Sequence, residues 1–221
     1  ASIKLQKDTE HIYYIDDWGI ATSLSYPLLL APLNIDDTDE IIKMKMNLVA
    51  KYIETFVVRR SINYKKFASS SIRYTMYTLV KEIRGKTIEE LRSILTSKLE
   101  SMPETWDKMN KFGMHGQNKR FVKFLLSRMS SYIDKHAGIN TNYDSYFRPE
   151  GKQFEIEHIW ANKYERHKKE FDQKVDFEVF RNRIGDLVLL PRGNNQSYGD
   201  KEYKDKHKHY VKENLLVQSL T

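Results

Sequence analysis

The stretch FEIEHIW, residues 154–160, sets a carboxylate, Glu157, beside an imidazole, His158, inside a short apolar segment. A carboxylate is a hard ligand suited to Mg²⁺, and a neutral imidazole can take a proton from water. Thirty residues on, PRGNNQ supplies Arg192, Asn194 and Asn195, and Lys201 follows. An amide oxygen is a further hard ligand, and Lys201 and Arg192 suit contacts to flanking phosphates. This set of groups fits phosphodiester hydrolysis. One divalent ion would bind the scissile phosphate and stabilise the departing oxygen, while the histidine activates water from the opposite side. Each residue also has a plainer role. A strand histidine is more often a hydrogen-bonded structural residue, Asn-Asn after Gly193 is ordinary turn chemistry, and a surface lysine is usually solvated. Adjacent strand residues point to opposite faces, so Glu157 and His158 share a site only if the strand twists or ends there. His207 and His209 are two apart and do not share a helical face, and His115 reads as a loop residue.

The elements that must position these groups follow from periodicity. Residues 154–160 read as a strand, and Leu187 to Leu190 as a short buried strand ended by Pro191-Arg192-Gly193. A polar helical piece near 162–182 lies between them. After the second strand comes a loop holding Asn194 and Asn195, then a helix from about Ser197 or Asp200. Upstream, residues 138–153 cluster Asn, Asp, Pro and Gly and read as a loop. Residues 1–138 read as helical. Within 36–61, Ile41, Ile42, Met46, Leu48, Val49, Tyr52, Ile53 and Phe56 follow a 3.6 period behind an acidic start that suits capping. Thr87 and Glu90 stand at capping-box spacing. Within 118–138, Phe121, Phe124, Leu125, Met129 and Ile133 form a helical stripe, of which Phe121, Phe124 and Leu125 read as core if buried, and Gly138 is a plausible stop. The expected fold is mainly α with a small C-terminal ββα-metal core, α+β overall: a helical region over 1–138 and the ββα unit over 139–221.

The 221 residues allow one large or two small domains. A net charge of +7 points toward a polyanionic partner, though a merely basic soluble protein fits as well. The absence of cysteine excludes disulfides, zinc ribbons and thiol catalysis. No apolar run is long enough to span a bilayer, and ASIKLQKDTE has no apolar signal stretch. The chain lacks an initiator Met and reads as processed or as a fragment. No phosphate-binding GxxxxGK loop is present. Arg59, Arg60, Lys65, Lys66 and Arg73 read as exposed cations, a duplex-binding face at most and a solvated surface otherwise.

IEHIWANKYE followed by RNRIGDLVLLPRGNNQSYGDKEYKDK resembles the HNH-type nuclease domain at the C-terminus of GmrSD-like type IV restriction enzymes. That family carries an acidic residue and His, then Ile-x-Pro, then Asn-x-Ile-Gly-Asn-Leu-x-Leu-Leu, then an Asn-rich turn before a helix opened by Asn-Lys. The match covers 154 to about 206, with weaker likeness in YPLLLAPL and IETFVVRRSI. The resemblance makes Glu157 and Asn195 metal ligands for one Mg²⁺ or Mn²⁺, and His158 the general base with Asn182 as a catalytic partner. It makes Asp186 and Asn194 supports of the site, and Lys201 and Arg192 phosphate contacts. Ala161 departs from the family proline, and Asp186 from the family Asn; an ionised carboxylate accepts but cannot donate hydrogen bonds. The family further implies DNA, modified or not, as substrate in anti-phage defence, a bacterial cytoplasmic setting, a possible homo-oligomer, and an N-terminal ParB-like nucleotide-binding domain that gates cleavage and has no counterpart in this sequence. Two other readings compete: a DNA-binding module with a decayed site, and a helical interaction module of a larger complex. RNA is an open alternative substrate.

Overall fold

A computed structural model describes residues 9–18, 22–148, 151 and 153–221. Residues 1–8, in the segment read as lacking a signal stretch, and Pro149, Glu150 and Lys152 of the expected loop lie outside the described residues. The chain divides into two compact units, Ala1–Met109 and Asn110–Thr221. The whole is mainly helical with one two-stranded sheet, as patterning predicted. Among the described residues no helix is long and apolar enough to cross a membrane.

The first unit holds α1 (Glu10–Trp18), α2 (Thr22–Leu30), α3 (Asp39–Ile62), α4 (Ser69–Ile83) and α5 (Ile88–Glu100). The stripe on α3 does what its period requires: Val49, Tyr52, Ile53 and Phe56 are buried in a core shared with Leu28, Met76, Leu79, Leu91 and Leu95. The α3 cap is Thr38, whose hydroxyl accepts from Ile41 N at 3.4 Å, and the acidic residues behind it occupy the first turn. The expected capping box at Thr87 and Glu90 is present in full. Arg59 corrects the expectation of an exposed cation. It is buried, and its guanidinium donates to the backbone carbonyls of Leu99, Met102 and Glu104. A buried guanidinium needs several acceptors, and the Leu99 carbonyl in the last turn of α5 with the Met102 and Glu104 carbonyls just beyond it provide them.

The second unit begins with α6 (Lys119–His136) and α7 (Tyr143–Phe147). Phe121, Phe124 and Leu125 of α6 are buried and are core. The expected loop at 138–153 contains α7, because Tyr143, Tyr146 and Phe147 are buried and Asn142 and Ser145 form a capping box that offsets the turn-like composition. The strands β1 (Phe154–His158) and β2 (Leu187–Pro191) pair antiparallel, with Glu157 opposite Val188 and His158 opposite Leu187. Between them lie a 3-10 turn at Tyr164–His167, α8 (Lys174–Arg181) and a 3-10 turn at Ile184–Asp186. After β2 the chain enters α9 (Arg192–Tyr198) directly, then α10 (Tyr203–Tyr210) and α11 (Leu215–Gln218). Asn194 and Asn195 are therefore helical and not in a loop. Pro191 stands at the cap, where a missing N–H costs nothing, and the two amides bond to distant carboxylates instead of closing a turn.

Candidate active site

His158 ends β1, and its Nε2 lies 2.9 Å from Asn182 Oδ1. Asn182 follows the last turn of α8, where its Nδ2 donates to the Glu178 carbonyl at 2.8 Å. With the amide nitrogen committed, the oxygen must be the group facing the ring, and an amide oxygen only accepts. In the neutral ring Nε2 therefore carries the proton and Nδ1 keeps a lone pair. Burial lowers the His158 pKa to about 4, with the positive charges of Arg181, Lys206 and Lys119 acting the same way and the Asn182 bond opposing them. The ring is neutral near pH 7 and able to accept a proton.

Asn182 is itself anchored. Met114 N donates to the Asn182 carbonyl at 2.7 Å, and Ile184 N donates to the Phe112 carbonyl at 2.9 Å. Gly113 bridges Arg183 between these bonds, and a Cβ at Gly113 would meet the Asn182 oxygen at 3.2 Å. Glycine permits that approach of two backbones. The segment before α6 thus fixes the acceptor that fixes the histidine.

Glu157 takes the other face of β1, as alternation requires. It is buried, and its Oε1 accepts from the ammonium of Lys206, a fully buried residue of α10. The same ammonium donates to the His158 carbonyl at 2.8 Å. Burial pushes the Glu157 carboxyl up, while Lys206 opposes that shift. Asp186 grips the next residues: its main-chain oxygen accepts from Ile159 N at 2.9 Å, and its carboxylate from Trp160 N at 3.3 Å. Burial pushes the Asp186 carboxyl up to about 7. Arg181 Nε donates to the Trp160 carbonyl at 3.2 Å. The turn after β1 is held at successive backbone groups by three side chains.

The remaining expected residues lie apart from this turn. Asn195 Nδ2 donates to Glu155 Oε2 at 3.1 Å, and Arg192 Nε lies 3.5 Å from Glu155 Oε1. Asn194 Nδ2 donates to Glu213 Oε1 at 2.8 Å. The Lys201 ammonium lies 5.5 Å from the centre of the Tyr198 ring. His158 and Asn182 are thus brought together, and Asp186 braces the chain beside them. Glu157 and Asn195 each bond to a different partner. As donors for one divalent ion these two do not fit: the Glu157 carboxylate is taken by a buried ammonium, and a second cation there would meet it at close range. Among the described residues, no three of His, Asp and Glu form a group able to hold a metal.

Lys206, Arg181 and Gly113 escaped the sequence reading. For Lys206 a faint signal existed: in the highly charged KEYKDKHKHY it stands four residues before Tyr210, and both are fully buried on one face of α10.

Residues 57–220 match the family model described as GmrSD restriction endonucleases, C-terminal domain. The match takes in β1, β2, α8 and α10, and so every residue placed around His158. No curated protein and no solved structure matches the chain.

Proposed function

The chain belongs to the family of GmrSD restriction endonuclease C-terminal domains, and we propose that it hydrolyses DNA phosphodiester bonds in restriction, with His158 as general base and Asn182 as the residue that sets its tautomer. The observation that carries this reading is the committed Asn182 amide. It leaves His158 Nδ1 as the one ring nitrogen able to take a proton. Water attacks phosphorus as Nδ1 removes its proton; the bond from phosphorus to the departing oxygen breaks, and that oxygen takes a proton from solvent. The basic balance of the chain favours a polyanionic substrate. The Mg²⁺ or Mn²⁺ that the family resemblance implies would polarise the phosphate when bound. Its expected carboxylate is engaged by Lys206, so no step passes through the ion. That same ion pair favours a second reading, a DNA-binding module without turnover.

Conversion of supercoiled plasmid to open-circle or linear DNA separates the two. The assay compares wild type with His158→Ala, on plain and modified DNA, with Mg²⁺, Mn²⁺ or EDTA. Cleavage that disappears in His158→Ala while DNA binding persists supports the nuclease reading. Cleavage that survives the substitution removes His158 as the base. Binding without cleavage under every condition favours the second reading.

A further inference from the structure

We propose that Lys206 is an internal cation that positions His158, and that Glu157 is its counterion and not a metal ligand. The inference rests on His158 being the general base. Lys206 is fully buried. An ammonium in that setting is costly unless it is paired and its hydrogens are used. Its two partners are not arbitrary, since they are consecutive residues of one strand end: the Glu157 carboxylate and the His158 carbonyl. Holding the carbonyl fixes the peptide plane that leaves His158, and Asn182 fixes the far end of its ring. The base is thus held at both ends, main chain from α10 and ring from the end of α8. This also resolves why an acid and a histidine adjoin in β1. Alternation sends Glu157 inward to Lys206 and leaves His158 on the other face, so the two need not share one ligand sphere. For a divalent ion to bind Glu157, Lys206 would have to leave a site with no solvent exposure and surrender two hydrogen bonds.

The test is a double-mutant cycle of Glu157→Gln, Lys206→Met and the pair together, with three readouts, the unfolding in metal-free buffer. First, thermal unfolding: each single variant strands a buried charge and lowers Tm by roughly 10 °C, and the neutral pair recovers most of that loss. Second, Mn²⁺ binding by calorimetry: Glu157→Gln matches wild type within about twofold, or neither binds, since Glu157 contributes no ligand. Third, the ring ¹⁵N spectrum and kinetics of the folded pair variant. The Nε2–H signature of His158 gives way to mixed tautomers, and kcat falls at least about tenfold with KM little changed. Additive losses in Tm overturn the proposal, as does a Mn²⁺ affinity weakened tenfold or more by Glu157→Gln. A pair variant with wild-type tautomer and kcat does the same. Cleavage retained by His158→Ala would instead remove the nuclease reading, and the metal-free stability cycle would stand apart from that result.

Discussion

Replacing Asp186 with Asn should stabilise the protein at alkaline pH and leave it nearly unchanged in acid. Asp186 is buried, and burial pushes its carboxyl from an ordinary 3.8 up to about 7. The folded state therefore binds this proton more tightly than the unfolded state. Stability from the group is complete below about pH 4 and is lost as pH rises toward 7. At 1.36 kcal/mol per pH unit the loss has a ceiling of about 4 kcal/mol. Relaxation and water entry around a buried charge reduce this, and roughly 2 kcal/mol is the working figure. Asn is the same size, keeps an oxygen for the Trp160 N–H, and carries no proton to lose. It also removes a negative charge that disfavours the ionised forms of Glu157 and of Tyr210. For a chain of this length, about 2 kcal/mol is a gain of roughly 4–8 °C in Tm at pH 8, shrinking toward zero at pH 4.5. Thermal unfolding followed by circular dichroism in chelated buffer at both pH values measures it. A variant less stable than wild type at pH 8 would refute the reasoning, and so would an offset independent of pH. Either result would mean that Asp186 works ionised, as a counterion to Arg181 and Lys206, and that burial does not govern its charge.

Further expectations follow from the same geometry. Asn182→Ala removes the acceptor of His158 Nε2 and should cut plasmid cleavage roughly 10- to 100-fold with DNA binding retained, whereas Asn182→Asp, by stabilising the imidazolium, should move the acid limb of the pH–rate profile upward from about 4. An unchanged rate in Asn182→Ala would detach Asn182 from the chemistry. Lys119 is exposed on α6, and its charge acts on His158. Lys119→Ala should weaken DNA binding and reduce the slope of log affinity against log salt by about 0.9, read by fluorescence anisotropy across a salt series; an unaltered slope puts Lys119 off the DNA path. Gly113→Ala pushes a methyl to 3.2 Å from the Asn182 oxygen and should lower Tm by a few degrees and cleavage by more, while Gly116→Ala, with nothing within 4 Å, should be neutral in both. Equal behaviour of the two glycine variants would mean that the approach of 113 to 182 does not hold the site.

The parts of this protein legible in its sequence are those decided locally. The α3 stripe, the Thr87–Glu90 capping box and the two strands each depend on residues close in the chain, and each appears where its pattern places it, save that the first strand ends at His158, two residues short of the expected 160. Patterning failed where a distant partner outbid a local one. Asn194 and Asn195 carry turn chemistry, yet Glu213 and Glu155 claim their amides and the backbone stays helical. Arg59 carries a charge that reads as surface, yet carbonyls in the last turn of α5 and in the segment after it draw it inside. The candidate site shows both behaviours in adjacent residues. Glu157 and His158 were conspicuous because they adjoin, and strand alternation already warned that they face opposite ways. The family resemblance already sets Asn182, twenty-four residues on, beside His158; what no pattern shows is Lys206, forty-eight residues beyond His158 in a run of charges that reads as solvated. A buried lysine is chemically indistinguishable from an exposed one in sequence. Only the fold, by withdrawing it from water between a carboxylate and a carbonyl, gives it a task. His158 is therefore legible in the sequence, and the buried lysine and backbone contacts that hold it are not, because they join segments whose spacing obeys no local period.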